Sequence, residues 1–574
     1  MVVLFSLPLF SQSSGWGPSQ PDSTRLSTLE EMERYGILTW EESQFTRADL
    51  FPLSLAQRGR LSASAYRGMP PGFLRYYFGG KELSNPFSGF YNEQWLPYYA
   101  IQGMREFPGS GRVWLLAQPT LANKPITRLI FSQDYVVNLS FLDVDFSQRL
   151  SRTNFIYLSG SNLLSDGSQQ ADYSKIHVNT YRGQLHWQLT SNWQTDLFYW
   201  QLRHRFNITP ESGQFQRDKF KQVGHLLWAR FRGKVGENDS LWILPEYNAF
   251  EDRFTRGHDN TRRNNHYTIA SLTMDYAHRS SAGRWGIQGN GRWMKSAPQT
   301  NWFKRQETDG RVKVYLKNSS GKWQWNFEGG FYRHSESGQQ VTGRIELGTI
   351  LKKNNGLTLT VFSDAIPPPL LWRTLQVDTI PTYLNKTLIQ QQGIAAALHW
   401  KLSSRFRIQL EPFVYQTRNY PLLTDNNSRW ERRTIRNYGV RLFSTLDLKL
   451  LYIVNDFTYH RDYRHTYTPQ VNNVTTLKSS LRLFKTLRMD GIFTWHYLGY
   501  FHQLTFQRLL NQYRVSDVET GPFYLANFRL QAHFREAIVF FIWENILSQD
   551  YSIIKDTQDD LLIFRLGVDW ILFD

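Results

Sequence analysis

The 574-residue sequence contains no cysteine, which excludes disulfide bonds, thiolate metal sites and thiol nucleophiles. No internal run approaches the roughly 18 consecutive apolar residues that a membrane-spanning helix needs. The sequence also lacks a His-Glu-x-x-His motif, a Gly-x-Ser-x-Gly motif and a phosphate-binding glycine loop. These absences predict a protein that is not an enzyme and holds no cofactor, and they leave strands as the means of crossing a membrane.

Aromatic residues are abundant although the chain is polar on average. They make up 16% of the residues, while the mean hydropathy is −0.48. This combination is typical of a membrane β-barrel, because only alternate residues of each strand face lipid. The net charge is +17, but the basic residues are spread along the chain and form no nucleic-acid-binding motif. We interpret the charge as a solvated basic surface and expect no nucleic-acid partner.

The C-terminus carries the pattern of the last strand of such a barrel. From Phe564 to Phe573 the side chains alternate with a period of two, the repeat of extended chain. One face carries large apolar side chains, which are Phe564, Leu566, Val568, Trp570 and Leu572. The other face carries Arg565, Gly567 and Asp569. An apolar face opposite a polar face suits a wall with lipid outside and water inside.

The same alternation recurs from Thr127 onward, and the connections between the alternating segments are short and long in turn. Short connections include 191–192, 280–283 and 403–404, and long ones include 255–264, 364–388 and 501–521. Outer-membrane barrels have tight periplasmic turns and long extracellular loops, which produces this pattern. The predicted fold class is all-β, with a transmembrane antiparallel β-barrel of about 22 strands at 127–574.

Three short stretches at the N-terminus precede any barrel strand. Residues 1–13 have an apolar core followed by small polar residues, which predicts the remnant of a signal peptide, with a buried N-terminal strand as the alternative. Residues 14–24 are rich in Gly, Pro and Ser and predict a linker. The sequence Ser-Thr-Leu-Glu at 27–30 is a capping box, which predicts a short helix as far as Tyr35.

Turn residues are concentrated between 58 and 106. The residues in question are Gly79, Gly80, Asn85, Pro86, Gly89, Leu96, Pro97 and Glu106. The first two glycines permit a tight reversal after an aromatic strand, and the Asn-Pro pair begins a turn that the third glycine can complete with positive φ. A Leu-Pro step and a strand ending in the glutamate follow. This order resembles the latter half of the plug domain of TonB-dependent outer-membrane receptors.

The resemblance implies a shortened plug-like domain at 25–120 that lies in the lumen or at its periplasmic mouth. It also agrees with the strand count, because barrels of that family have 22 strands. The glycine-rich run that follows in the family is replaced here by Phe-Pro-Gly-Ser-Gly at 107–111, and no N-terminal box for engaging the TonB protein is recognisable. The resemblance therefore implies an inherited fold, with energy coupling lost in this chain.

Basic residues cluster in or beside two of the predicted outer loops. They are Arg253, Arg256, Arg262, Arg263, Arg429, Arg432, Arg433 and Arg436. One interpretation is an electropositive extracellular mouth that attracts anionic solutes or lipopolysaccharide phosphates. The alternative is an ordinary solvated loop whose charge is partly neutralised by neighbouring acids. His258 and His266 lie in the same region, but without a fixed ligand spacing we predict no metal site.

A run of three prolines at 367–369 lies within the long connection 364–388. Proline cannot donate to a strand ladder and favours extended polyproline structure. This stiff apolar loop is expected to fold into the lumen, cover the mouth or contact a partner, and a simple strand-ending loop is the alternative.

The sequence thus predicts a Gram-negative outer-membrane barrel that contacts membrane lipid and lipopolysaccharide and passes an unidentified solute, in the manner of a porin that keeps part of a plug. One alternative is a TonB-coupled importer whose coupling region is missing or lies on a separate chain. Another is a structural or assembly barrel that carries an envelope partner. Channel conductance would separate an open pore from a plugged one.

Overall fold

The computed structural model describes residues 25–28, 37, 39–55, 59–101, 103–106, 108–116, 124–165, 175–208, 218–257, 262–281, 283–298, 305–318, 322–352, 355–374, 387–424, 429–484, 486–555 and 562–573. The sequence predictions for 1–13 and 14–24 lie outside these residues. The strands that precede the barrel are β1 (Arg25–Thr28), β2 (Leu50–Ser54), β3 (Ser62–Tyr66), β4 (Arg75–Phe78), β5 (Lys81–Leu83), β6 (Gly103–Glu106) and β7 (Arg112–Leu116).

The remaining strands are β8 (Ile126–Asp134), β9 (Leu139–Arg149), β10 (Phe155–Ser165), β11 (Ile176–Gln188), β12 (Trp193–Ile208), β13 (Asp218–Lys234), β14 (Asp239–Thr255), β15 (Arg262–Ser280), β16 (Gly283–Pro298), β17 (Arg305–Asn318), β18 (Trp323–His334), β19 (Gly338–Lys352), β20 (Asn355–Ile366), β21 (Ile389–Lys401), β22 (Phe406–Leu423), β23 (Trp430–Asp447), β24 (Tyr452–His460), β25 (Val471–Phe484), β26 (Leu487–Leu498), β27 (Phe501–Gln507), β28 (Gln512–Thr520), β29 (Phe523–His533), β30 (Ala537–Glu544) and β31 (Ile563–Phe573). Among the residues that the structure describes, the helices are α1 (Trp40–Gln44), α2 (Leu370–Thr374) and three single 3₁₀ turns (Glu93–Trp95, Tyr98–Ala100 and Tyr463–His465). In the described part of the chain, no helix is long and apolar enough to cross a membrane.

Twenty-two strands form one closed antiparallel barrel, which confirms the predicted fold class and strand number. Strands β8 to β26 follow one another around the wall, β26 pairs with β29, and β31 pairs with β8. In the closing pair Arg565 lies opposite Asp134, and Phe573 lies opposite Ile126. The wall therefore has no exposed strand edge, which a barrel in lipid requires.

The alternation read from the sequence separates the two faces of the wall. Leu142 and Val144 on β9 are 40% and 37% exposed, whereas Asp143 between them is fully buried on the inner side. On β31, Leu566 and Trp570 are likewise exposed, while Arg565 is buried. Successive side chains of a strand point to opposite faces, so each strand presents apolar groups to lipid and polar groups to the lumen.

The connections at the two ends of the barrel differ in length, as predicted. One end has tight turns such as 281–282 and 402–405, and the other has long loops such as 367–388 and 545–562. We assign the turn end to the periplasm and the loop end to the extracellular side. The loop predicted at 501–521 contains a hairpin of its own, β27–β28. This hairpin forms a two-stranded sheet that is separate from the barrel wall.

Two small sheets precede the barrel. One has the strand order β1-β6-β7-β4-β5, and the other is the β2–β3 hairpin. Their apolar residues, among them the fully buried Leu53 and Leu96, belong to one hydrophobic cluster with inward-facing residues of the wall such as Trp200 and Tyr415. The N-terminal sheets and the barrel therefore share a core.

The helix predicted after the capping box at 27–30 lies almost entirely outside the described residues. Residues Arg25–Thr28 form a strand that pairs with Gly103–Glu106, so the first two residues of the capping box belong to this strand. A helix with the same kind of cap follows later, at Trp40–Gln44. There the Thr39 hydroxyl accepts a hydrogen bond from the Glu42 N–H at 3.4 Å.

The two faces of β16 provide a test of the assignment of lipid and lumen. Ile287 is 47% exposed on the outer face, and its neighbour Gln288 faces the lumen. Ile287→Arg should make assembly less favourable by about 2–4 kcal/mol, because it places a charge in hydrocarbon. Gln288→Arg is the matched control and should assemble normally. Heat-modifiable migration after refolding into vesicles measures both, and equal damage from the two changes would contradict the assignment.

Candidate functional site

The lumen is occupied by the inner segment, which we define as the described residues between 37 and 116. Phe78 lies 5.3 Å from the ring of Trp200 on β12, and Phe87 stacks on Tyr267 of β15 at 4.7 Å. Further around the wall, Phe73 meets Tyr415 of β22 at 5.5 Å. A barrel of this size has a lumen too wide for its own side chains to fill. Contacts on such widely separated strands show that the inner segment spans it.

The glycines singled out in the sequence lie where the inner segment turns close to the wall. Gly79 and Gly80 have φ values of 58° and 93° and form the reversal between β4 and β5. A Cβ atom at either position would lie 2.9 Å from a wall aromatic, which is Phe198 for Gly79 and Trp242 for Gly80. Only glycine combines this backbone conformation with so close an approach.

The Asn85-Pro86 turn is closed by its own backbone and tied to the wall. The Asn85 carbonyl accepts from the Gly89 N–H at 2.8 Å, and its side-chain oxygen accepts from the Phe87 N–H at 3.0 Å. The hydroxyl of Tyr267 on β15 donates to the same side-chain oxygen at 2.8 Å. Gly89 has a φ of 81°, the positive value that the turn needs.

The remaining turn-region residues hold the base of the inner segment. Leu96 is fully buried, and its carbonyl accepts from the N–H of Trp40 at 2.9 Å. Pro97 forms an isolated bridge with Thr39. Glu106 at the end of β6 pairs with Arg47 at 2.9 Å. These contacts join the helix α1 to the sheet that follows it.

A buried ionic network links the inner segment to the wall strands β22, β23 and β24. Arg67 pairs with Glu411 of β22 and with Asp49 at 3.4 Å. Arg441 of β23 reaches Asp49 at 3.0 Å and Asp456 of β24 at 2.8 Å. All of these side chains are almost completely buried. A buried charge that loses its partner is costly, so the network fixes the position of the inner segment.

Asp49 lies at the centre of this network. Burial alone raises the pKa of a carboxyl, but the guanidinium groups of Arg441, Arg47 and Arg67 hold the pKa of Asp49 well below its usual range. No sequence motif singles out these residues. Glu411 and Arg441 occupy polar positions in strands whose polar and apolar residues alternate. This alternation predicts that their side chains point inward, but it does not predict which residues they contact.

A second polar centre within the inner segment surrounds Glu93. Its carboxylate accepts from the Tyr76 hydroxyl at 2.6 Å and from the Ser64 hydroxyl at 2.8 Å. Burial raises the pKa of Glu93 to about 8, against the lowering effect of these two hydrogen bonds, and the nearby Glu41 adds to the increase. Glu93 is therefore protonated at neutral pH while the inner segment is in place.

The predicted basic mouth divides into two groups at the loop end of the barrel. The first group surrounds the β14–β15 connection and the second surrounds the β22–β23 connection, with six strands between them. In the first group Arg253, Arg256 and Arg262 are exposed or half-buried. In the second, Arg429, Arg432, Arg433 and Arg436 are exposed, and Glu431 pairs with Arg429 and Arg433. The structure does not bring the two groups into one site.

Arg263 differs from the other arginines of that prediction, because it is buried. It pairs with Asp252 at 2.8 Å and donates to the carbonyls of Arg508 and Leu509 in the tip of the β27–β28 hairpin. Arg263 thus anchors an inward-folded loop. His258 lies outside the described residues, and His266 is half-buried on β15.

Two loops cover the inner segment from the extracellular side. The backbone N–H groups of Leu370 and Leu371, in α2 after the proline run, donate to the carbonyls of Pro86 and Phe87 at 2.8 and 3.1 Å. Tyr513 of the β27–β28 hairpin donates its hydroxyl to the carbonyl of Leu53 at 3.0 Å. Of the arrangements expected for the proline loop, the structure thus has the one in which it folds into the lumen.

Trp372 joins the two covering loops. Its indole N–H donates to the carbonyl of Leu510 in the hairpin at 2.9 Å, and the side chain is 2% exposed. The loops therefore contact each other as well as the inner segment.

Comparisons with known proteins agree with this geometry. Neither a protein-family model nor a curated protein matches the sequence. Among solved structures, the siderophore receptor PirA from Acinetobacter baumannii matches 96% of this chain and 99% of its own with a TM-score of 0.75 at 10% identity. The ferric enterobactin receptor PfeA matches 97% of this chain and 100% of its own with a TM-score of 0.77 at 11% identity. The fold is that of the TonB-dependent receptors.

The resemblance to TonB-dependent receptors, inferred from the turn residues and the strand count, is thereby confirmed for the fold. A closed 22-strand barrel of this kind belongs to the Gram-negative outer membrane. PirA from Pseudomonas aeruginosa gives the same result, with a TM-score of 0.71 over 97% of this chain at 11% identity.

The network around Arg67 predicts how firmly the inner segment is held in this TonB-dependent-receptor fold. Glu411→Ala leaves a buried guanidinium without its main partner, so the free energy of opening the inner segment should fall by about 3–5 kcal/mol. Hydrogen exchange of the β2 and β3 amides measures the change. The control is Glu431→Ala, which removes an exposed pair and should leave those amides unaffected. Unchanged protection in Glu411→Ala would show that the network does not hold the segment.

The protonated Glu93 predicts that the inner segment is less stable at higher pH. Its pKa is about 8 in place and has an ordinary value of 4.5 when exposed. Opening therefore releases a proton between these values, and stability is full below the lower value and falls as pH rises towards the upper one. Hydrogen exchange of β3 and β4 should be faster at pH 8 than at pH 5, after correction for intrinsic rates. Glu93→Gln should remove this pH dependence, and an unchanged slope would contradict the assignment.

Proposed function

We propose that the protein moves a solute across the outer membrane through its barrel, with the inner segment as the plug that controls passage. The observation that carries the proposal is a 22-strand wall whose lumen is occupied by a separate part of the same chain. A wall that served only as a scaffold would not need a lumen of this width.

The way the wall is built supports a plug that can move. The barrel closes through backbone hydrogen bonds between its own strands, including the β31–β8 pair, and none of these bonds needs the inner segment. The inner segment is fixed by side-chain contacts such as Arg67 with Glu411 and Lys81 with Glu246 at 2.8 Å. Water and a solute with polar groups can replace such contacts, so displacement of the plug leaves the wall intact.

The covering loops support a closed resting state. Helix α2 and the β27–β28 hairpin bond to the inner segment from the extracellular side, and Trp372 bonds them to each other. Entry of a solute from outside therefore requires these loops to move first. Flow in the resting state is expected to be restricted.

The proposal also concerns which solute is transported and what drives its transport. The structural neighbours are named as siderophore and ferric enterobactin receptors, which supports a siderophore-like solute for this chain. An envelope partner that pulls on the plug would supply the displacement. Passive flow past the plug, as in a porin, is the second candidate, and the shortened plug-like domain predicted from the sequence supports it.

Conductance in a planar bilayer tests the proposal. The intact protein should conduct little, whereas deletion of residues 24–111 should leave a barrel that assembles and conducts much more, because it removes most of the inner segment from the lumen. Deletion of the hairpin at 501–520 is the control. It removes one covering loop and keeps the plug, so its conductance should stay low.

The possible results distinguish a plugged transporter, a porin-like channel and a coupled importer. Unchanged conductance after deletion of residues 24–111 would contradict the assignment of the inner segment as a plug. Steady flow through the intact protein would favour the porin-like form. An intact protein that stays closed until an energised envelope partner is supplied would favour the coupled importer.

A further inference from the structure

A cavity of about 260 Å³ lies between the edge of the inner segment, at β4 and β5, and the wall strands β14 to β18. It begins near Trp242 and Lys313, towards the turn ends of their strands, and reaches His334 at the loop end. The prolines at 367–369 cap it on the extracellular side. The cavity therefore runs along the wall in the direction that a transported solute must travel.

The cavity is more basic than acidic. Seven Lys or Arg side chains and four Asp or Glu side chains line it. Three of the basic groups are paired with carboxylates, because Lys81 bonds to Glu246 at 2.8 Å, Arg292 bonds to Asp309, and Arg373 bonds to Glu307. The excess is therefore concentrated elsewhere in the cavity.

The excess lies around Asp364 on β20. This one carboxylate accepts contacts from three arginines, which are Arg311 at 2.8 Å, Arg75 at 3.1 Å and Arg112 at 3.5 Å. A single negative charge cannot neutralise three guanidinium groups.

Two further carboxylates reduce this excess without removing it. Glu328 is shared between Arg112 at 3.4 Å and Lys313 at 3.7 Å. Glu82 offsets part of the charge of Arg75. Glu346 is a further carboxylate beside these groups, but Lys317 and Arg344 are two further cations beside them. Six cationic side chains thus face four carboxylates, and positive charge remains beside the cavity. A buried positive charge without a counterion is unfavourable, so the site favours an anion.

Tyr332 provides an independent indication of a ligand. Its side chain lines the cavity and is 4% exposed, and its hydroxyl has no hydrogen-bond partner within the described chain. The guanidinium of Arg311 lies 5.1 Å from the centre of its ring. A buried donor without an acceptor destabilises the folded state, and an oxygen atom of a ligand would satisfy it.

We propose that this cavity binds a small organic anion through carboxylate or phosphate oxygens, held by the guanidinium groups of Arg311 and Arg112 and by the hydroxyl of Tyr332. This inference rests on the proposed transport function, and it makes an anion the class of solute that the barrel carries. The site lies beside the plug and beneath the proline loop. Movement of that loop would therefore open it to the extracellular side.

Isothermal titration calorimetry on the full chain in detergent tests the site, with citrate and inorganic phosphate as the two probes. Saturable binding of one anion per chain is expected, and the tighter of the two probes identifies a carboxylate or a phosphate as the preferred group. Tyr332→Phe removes only a hydroxyl that has no partner, so the protein should fold normally and bind about tenfold more weakly. The matched control is Tyr181→Phe on the outer face, where the side chain is 53% exposed, and it should bind like the unaltered protein.

Arg311→Gln is a second variant, and it should also bind about tenfold more weakly. Asp364 keeps Arg75 and Arg112 in this variant, so the wall is not left with an unpaired carboxylate. Absence of saturable binding for both probes would overturn the inference. Equal affinity in the Tyr332→Phe variant and the unaltered protein would also overturn it.

The binding assay does not require transport, so the two proposals fail separately. If no anion binds but deletion of residues 24–111 opens the barrel, only the anion site is wrong. If an anion binds with the expected variant effects but the deletion does not raise conductance, only the plug function is wrong.

Discussion

Closure of the backbone hydrogen bonds around the wall is the constraint on which the rest of the structure depends. In lipid, an unpaired N–H or C=O group costs several kcal/mol, so a strand is stable there only with a neighbour on each side. The pairing of β31 with β8 supplies the last neighbours. With 22 strands, closure also creates a lumen that side chains alone cannot fill. The need for an occupant follows from the geometry of the wall.

The occupant is held by contacts of two kinds. Aromatic packing, as between Phe87 and Tyr267, contributes apolar burial. Ion pairs such as Arg441 with Asp49 fix the position of the inner segment, because a charge displaced from its partner would be left buried without a counterion. The paired charges form a firm network on the β22–β24 side, whereas the β14–β18 side has a cavity and unbalanced positive charge. The two sides of the inner segment thus differ in charge balance and in the space available to a solute.

Local signals succeeded where the pattern itself is the structural cause. Period-two alternation placed Asp143 inside and Leu142 outside, since strand geometry alone decides the face. They failed where a distant strand intervened. Ser27 and Thr28, the first two residues of the capping box, lie in β1, because that strand pairs with β6, about 75 residues away. Arg263 was read as part of a loop mouth, but the returning β27–β28 hairpin buries it.

The sequence by itself determined the wall: alternation, short and long connections and the strand count all depend on neighbouring residues. It also determined the turns at Gly79, Gly80 and Gly89, where the backbone needs positive φ. Tertiary structure alone decided what meets inside the lumen. Asp49 and Arg441 are 392 positions apart, and Tyr332 and the arginines around Asp364 come from separate strands and from the inner segment. The physical reason is that alternation selects which side chains point inward, while barrel closure and the path of the inner segment select their partners.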